Sequence, residues 1–323
     1  MMAMMPAFAT PDAADHLASS TVAVDELSRA VDAIIKDGAD VIATTGSFGE
    51  FHTLLPEEHS TLVRATVEAA AGRAPVIAGC LGTHTREVLA RCRSAAEAGA
   101  DGLLVGVPFY FPSTIDNARV FYQTVASEFP DLAIMIYHNP TLHHVHLTVE
   151  LLAALARDHS NIVAMKDSHR DPREFGQLIH AIGRRFSVFV AAWQYDSYAS
   201  LGAAGFWSYD CWMDPAPHLR LRDAVQARDR DLAGRLTITL HPMPQRPPSL
   251  SWRETAAKIA IAKAGYCQPG PLRPPFVVVP EEVISAAEAK AARWRTVAEA
   301  IRSGAWDTTP TVAEPAGTRA RTL

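Results

Sequence analysis

The sequence predicts an α/β fold, a closed (β/α)8 TIM barrel followed by a C-terminal helical extension. Three observations carry that reading. Short apolar runs alternate with longer amphipathic stretches along residues 1–214, giving eight βα units. The runs are apolar at consecutive positions, as strands buried on both faces of a parallel sheet require. No Gly-x-Gly-x-x-Gly turn follows the first run, so the signature of a doubly wound dinucleotide fold is missing and the closed barrel is favoured.

The elements follow in order. Residues 1–8 supply a first apolar strand rich in Met and Ala. Residues 24–36 set Leu27, Val31, Ile34 and Ile35 at helical spacing, the mark of a helix with one face on a core. A buried strand over 40–45 leads to a helix over 56–71 that opens on Pro56, a residue suited to a first helical turn. A strand over 74–79 is followed by a helix over 85–98, stopped by Gly99. The same alternation gives a strand over 101–107, a helix over 115–128, a strand over 132–137 and a helix over 148–157. It continues with a strand over 161–166, a helix over 172–182, a strand over 186–191, a short helix over 195–201 and a strand over 205–209. Residues 215–304 contain no strand-like run and read as helices packed on the barrel, broken by the proline-rich stretches 241–249 and 268–275. Residues 305–323, rich in Pro, Thr and Arg, read as a loose tail.

Composition excludes several functions. Thirty basic against thirty-five acidic residues give a formal charge of −5, so no basic excess drives binding to nucleic acid or an anionic membrane. No run of about 18 apolar residues occurs, so no membrane span is expected. The apolar N-terminus lacks a basic segment and is not read as a signal peptide. Cys80, Cys92, Cys211 and Cys267 are widely separated. That pattern suits a reducing cytoplasm and argues against a zinc cluster or a disulfide framework.

In a barrel of this kind the chemistry sits at the C-terminal ends of the strands. Those ends carry Gly46-Ser47-Phe48-Gly49-Glu50, then Phe109-Tyr110-Phe111, Tyr137-His138-Asn139-Pro140, Lys166-Asp167-Ser168, Trp193-Gln194 and Trp207-Ser208-Tyr209. Only five lysines occur (Lys36, Lys166, Lys258, Lys263 and Lys290), and Lys166 closes an apolar strand. A lysine there is either a structural ion pair, with Asp167 or Glu50 as partner, or a desolvated amine nucleophile that attacks ketones. Tyr137, ending the preceding strand, is either a core tyrosine or a proton relay beside that amine. The glycines around Ser47 and Phe48 can leave backbone N–H groups facing an anion; many βα loops share that composition.

Taken together, these segments resemble the pyruvate-dependent class I aldolases of the dihydrodipicolinate synthase and N-acetylneuraminate lyase superfamily. The resemblance runs from about residue 1 to 303. It rests on Gly46-Ser47-Phe48-Gly49-Glu50 with Thr53-Leu54 and Glu57-Glu58-His59, and on the stretch from Pro75 through Asp101. It rests also on Val107-Pro108-Phe109-Tyr110, on Tyr137-His138-Asn139-Pro140 and on Ile162-Val163-Ala164-Met165-Lys166. The resemblance implies that Lys166 forms a Schiff base with a 2-keto acid, that Tyr137 shuttles protons, and that Gly46, Ser47 and the Phe48 backbone hold the carboxylate. It implies that Tyr110 reaches toward a neighbouring subunit in a homotetramer built as a dimer of dimers. It implies no metal and no cofactor, since the lysine imine is the electron sink.

Departures from the superfamily pattern narrow the branch. Ser47-Phe48 stands where dihydrodipicolinate synthases carry two threonines, and Thr141–His146 lacks the arginine they place after the fifth strand. The prospective mouth is aromatic, with Phe48, Phe109, Phe111, Trp193, Phe206 and Trp207. Phe48, Asn139 directly before Pro140, and the 273–281 stretch resemble the hydratase-aldolase branch that cleaves trans-o-hydroxybenzylidenepyruvate and carboxybenzalpyruvate. That resemblance implies a small-molecule aryl pyruvate substrate. Asn139 or Tyr137 would position water, with Trp193 and Trp207 against the ring. His138, His143, His144 and His146 read mostly as loop or interface residues; a sharper expectation sets His138 against an ionic ortho substituent on the ring. The competing expectations are a dihydrodipicolinate synthase-like enzyme, a keto-sugar-acid lyase, and a non-catalytic barrel with a binding role.

Overall fold

A computed structural model describes residues 1–242 and 250–308 of the chain. Eight parallel strands close into a barrel in sequence order: β1 (Met2–Met4), β2 (Val41–Thr44), β3 (Val76–Cys80), β4 (Gly102–Val105), β5 (Ala133–Tyr137), β6 (Ile162–Lys166), β7 (Ser187–Ala191) and β8 (Gly205–Ser208). β8 pairs back onto β1, Met2 opposite Trp207, so no sheet edge is left open. Around it run α1 (Val24–Asp37), α2 (Pro56–Ala70), α3 (Thr85–Glu97), α4 (Ile115–Glu128), α5 (Pro140–His143), α6 (Val149–Asp158), α7 (Pro172–Ile182), α8 (Tyr195–Ala199) and α9 (Ala216–Gln226). The remaining helices are α10 (Arg230–Leu240), α11 (Leu250–Ala264), α12 (Glu281–Arg302) and α13 (Ala305–Thr308).

Local chemistry accounts for these limits. Leu27, Val31 and Ile34 bury one face of α1, and Gly38 ends it at φ 113°, where a side chain would be strained. Thr114, Thr148 and Asp171 cap α4, α6 and α7 by accepting from the backbone N–H three residues on, each cap contributing about 1 kcal/mol. β1 is shorter than the apolar run 1–8, because pairing stops at Met4 while burial continues through Phe8. α5, a single turn after Asn139, has no periodic signal in the sequence; Asn139 accepts from the Leu142 N–H and Pro140 fills the first position.

Two polar anchors fix the extension on the barrel mouth. Lys258 of α11 is buried, 2.6 Å from Glu50 in an ion pair, and donates to the carbonyls of Ala7 and Pro271. Arg273 donates to Glu50 (3.0 Å), to the carbonyls of Ala7, Phe8 and Thr21, and to the Thr21 hydroxyl. Every donor of these cations thereby meets an acceptor, the condition under which buried charge is tolerated. On the other side, α12 packs on α9 and α11, with Lys290 paired to Asp210 at 2.6 Å and the Trp294 indole donating to the Asp214 carbonyl. Most of the proline-rich 241–249 stretch and nearly all of the 305–323 tail lie outside the described residues. Among the described residues, no helix is long and apolar enough to cross a membrane.

Candidate active site

Strand register builds the site. Tyr137 is the pairing partner of Lys166 across β5 and β6, so both side chains point into the barrel from one level. The Lys166 ammonium lies 4.1 Å from the centroid of the Tyr137 ring and 3.9 Å from that of Trp207. Lys166 is buried. The two carboxylates that could have held it in an ion pair are engaged elsewhere. Asp167 pairs with Arg170, and Glu50 with Lys258 and Arg273. The amine is therefore lodged between two aromatic faces and left open to the cavity.

The phenol of Tyr137 is bracketed. Its oxygen lies 3.3 Å from the Ser47 hydroxyl and accepts from the Asn139 side-chain amide at 3.3 Å. The Asn139 carboxamide oxygen is meanwhile spent on capping α5. The loop that brings Ser47 in is tightly folded. Thr45 and Glu50 adopt left-handed backbone at φ 48° and 54°, and Gly49 lies so close that an added Cβ would fall 2.6 Å from the Thr45 nitrogen. The fold of this turn therefore requires glycine at 49, and it drives Phe48 onto the ring of Tyr209, centroids 4.8 Å apart.

A cavity of about 420 Å³ opens onto Lys166. Ser47, Phe48, Tyr137, Asn139, Lys166, Trp193 and Trp207 all line it, with Trp193 more than half exposed at the rim. The Trp207 indole nitrogen is buried without a hydrogen-bond partner among the described residues. Gly46 stays behind the loop against Met4 and Leu104.

Four expected residues lie elsewhere. His138 follows Tyr137 on the strand, so alternation turns it outward into the helix layer. There it is buried beside His146 and His169, both ring nitrogens without partners, and burial lowers its pKa well below the ordinary value. Tyr110 and Phe111 are 70% and 73% exposed on a separate surface. Phe206 is fully buried against Tyr195 and His218, outside the mouth.

Sequence reasoning missed the contribution of the extension. Arg253 and Glu254 of α11 line the cavity with Lys166, as do His169 and Asp210. Burial raises the Glu254 carboxyl to about 7, against the opposing pull of Lys166 and Arg253. A signal was present: Glu254 and Lys258 are four apart, on one face of a helix. Among the described residues, no three His, Cys, Asp or Glu side chains gather as a metal site.

Comparison with known proteins agrees with this geometry. The dihydrodipicolinate synthetase family matches residues 4–292. The chain is 31% identical over 317 residues to a trans-O-hydroxybenzylidenepyruvate hydratase-aldolase of Sphingobium xenophagum, covering 93% of this chain and 94% of the relative. It is 28% identical over 307 residues to a trans-2'-carboxybenzalpyruvate hydratase-aldolase of Nocardioides sp. (strain KP7), covering 90% and 89%. The solved structure described as PhdJ bound to substrate intermediate superimposes with a TM-score of 0.85 at 29% identity, covering 92% of this chain and 96% of that one. The chain belongs to the dihydrodipicolinate synthetase family, within the superfamily of class I pyruvate aldolases and lyases.

Proposed function

We propose that this protein is a Schiff-base hydratase-aldolase that converts an arylidene pyruvate and water into an aromatic aldehyde and pyruvate. The observation that carries the reading is the placement of Lys166 at 4.1 Å from the Tyr137 ring in a cavity walled by Phe48, Trp193 and Trp207. Flat aromatic walls suit a conjugated ring, and the related hydratase-aldolases act on such compounds by name.

The steps follow from the groups present. Lys166 attacks the 2-keto carbon, and loss of water gives an iminium. Ser47 and the loop backbone receive the carboxylate. The iminium withdraws electrons along the conjugated chain, so water adds at the benzylic carbon. The Tyr137 phenol, held by Ser47 and Asn139, gives its proton to the departing carbinolamine hydroxyl and, as phenolate, takes the proton of the new hydroxyl as the carbon–carbon bond breaks. The aldehyde leaves, the enamine is protonated, and hydrolysis frees pyruvate and Lys166. The imine is the electron sink, and no cofactor enters the scheme.

The working enzyme is proposed to be a homotetramer, a dimer of dimers. The exposed pair Tyr110 and Phe111, ring centroids 4.9 Å apart, forms an apolar surface suited to a second copy. Mass measurement of the native protein in solution tests this, and a monomer overturns it.

The test of function is borohydride reduction in the presence of pyruvate, with turnover of ortho-hydroxybenzylidene pyruvate measured beside aspartate semialdehyde and sugar acids. A stable adduct on Lys166 and preference for the aryl substrate are expected. Faster turnover of the semialdehyde or of a sugar acid replaces the reading with a synthase or a sugar-acid lyase. Absence of any adduct leaves only a binding role.

A further inference from the structure

We propose that Glu254, on the helical extension, is the second proton-transfer group of this site and serves the hydration step, leaving carbon–carbon cleavage to Tyr137. The inference rests on the arylidene pyruvate reading above and adds the group that handles water.

Geometry supports it first. Glu254 borders the Lys166 cavity and two neighbouring ones. One of about 230 Å³ is lined by Ser47, Phe51, Phe109, Asn139 and His143. The other, of about 250 Å³, is lined by Phe48, His52, Leu272 and Phe276. Glu254 thus borders three adjoining spaces, one of which holds Lys166 and Tyr137. Its placement is enforced. Lys258, four residues on and on the same face of α11, is locked to Glu50 and to two backbone carbonyls. The tight Ser47 loop ends in that same Glu50, so one carboxylate ties the loop holding the phenol to the helix carrying Glu254.

Chemical need supports it second. Two protons must leave the same oxygen in turn: one when water adds, one when the carbon–carbon bond breaks. Tyr137 is bracketed by Ser47 and Asn139 beside the amine and serves the second. A group for the first has to exchange protons near neutrality. The partly desolvated Glu254 carboxyl, raised to about 7 by burial, is such a group, whereas His138 faces away from the cavity.

With the keto carbon as C2 and the benzylic carbon as C4, the step balances as follows. The water oxygen bonds to C4 while Glu254 takes one of its protons. The C3=C4 electron pair shifts to C2=C3, and the C=N pair moves onto nitrogen. Glu254 returns the proton to C3, and the nitrogen pair reforms the iminium. The net change is addition of H to C3 and OH to C4, with the carboxylate restored.

The experiment compares two substrates in the full-length protein: the arylidene pyruvate, which needs hydration, and the 4-hydroxy-4-aryl-2-oxobutanoate, which needs only cleavage. Glu254→Gln is expected to slow the first at least 100-fold and the second less than 5-fold, with pyruvate still trapped on Lys166. Glu254→Asp is expected to recover part of the first rate. Conversion of both substrates within 3-fold of the parent overturns the proposal, and so does equal loss of both. If Glu254→Gln does not fold, the same split is read in Glu254→Asp at about tenfold, and its absence overturns the proposal. A parent protein that forms the pyruvate adduct yet converts neither aryl compound overturns the substrate reading instead, an outcome visible without any variant.

Discussion

Tyr137 and Lys166 are register partners across β5 and β6, and that pairing sets the amine 4.1 Å from the phenol ring. The proposed nucleophile and the proposed proton-transfer group are thus fixed by backbone hydrogen bonding, the most rigid element of the fold. The roles should separate on substitution. Lys166→Ala is expected to abolish the borohydride adduct with pyruvate. Tyr137→Phe should still form it, but with turnover lowered by about 10²–10⁴-fold, the usual span for a lost acid–base group. Mass spectrometry and steady-state rates on the same preparations check both; an unchanged rate in Tyr137→Phe removes the phenol from the mechanism.

Glu50 is buried between Lys258 and Arg273. Glu50→Ala leaves two buried cations without their carboxylate, which costs about 3–5 kcal/mol in such pairs. Thermal melting should show a large loss of stability. Glu50→Gln, which keeps the shape and loses the charge, should fall between the two. A melting temperature unchanged in Glu50→Ala would show that the extension is held by its apolar contacts alone.

How far the site could be read from the chain follows from the same contacts. The barrel was legible because strands buried on both faces leave continuous apolar runs, and its lysine stood out as the one cation closing such a run. Ser47, Tyr137 and Lys166 fall at strand ends, where position in sequence translates directly into position in space. The spacing of Glu254 and Lys258 was visible in the chain, but the place of Glu254 at the mouth was not, because it depends on Lys258 reaching Glu50, a contact across about two hundred residues of chain. His138 was misplaced for a simpler reason: it adjoins Tyr137, and along a strand adjacent residues face opposite sides.

His138 therefore offers a negative test. Its two ring nitrogens are buried without partners, so replacing the ring by an apolar side chain removes no hydrogen bond and relieves an unsatisfied group. His138→Leu should leave kcat/KM within about twofold and hold or raise stability by about 1 kcal/mol. A selective rise in KM for the aryl substrate would return His138 to the binding site.

Acid should destabilise the fold through histidines kept neutral. Burial lowers His143 to about 3, with the Lys166 charge acting in the same direction, and burial lowers His59 to about 4. An unfolded imidazole titrates near 6.5. Above that value both states are neutral and contribute no pH dependence. Below it the unfolded chain binds protons that the folded one refuses, so stability falls from about pH 6.5 down toward 4. Each fully linked histidine gives a slope of about 1.4 kcal/mol per pH unit. Denaturant titrations at pH 7 and pH 5 check the trend, and His59→Gln should flatten it. Equal stability at the two pH values would contradict it.

On the proposed arylidene pyruvate function, the ring substituent is the next choice to test, since one relative is named for an ortho-hydroxy and another for a 2'-carboxy substrate. With His138 turned away, Arg253 is the cation besides Lys166 that lines the cavity, and it stands next to Glu254. A carboxylate on the ring would gain from Arg253 and be repelled by an ionised Glu254, while a neutral hydroxyl can donate to that carboxylate. A charge-assisted hydrogen bond contributes about 1.5–3 kcal/mol, the lower end applying at an exposed side chain such as Arg253. Arg253→Ala should therefore lower kcat/KM for ortho-carboxybenzylidene pyruvate about tenfold. For the ortho-hydroxy compound the change should stay under about threefold, since no full charge is lost there. Raising the pH through 7 should ionise Glu254 and disfavour the carboxy compound relative to the hydroxy one. Steady-state rates for both substrates at pH 6 and pH 8 check the pair of expectations. Parallel behaviour of the two would show that neither Arg253 nor Glu254 meets the ring substituent.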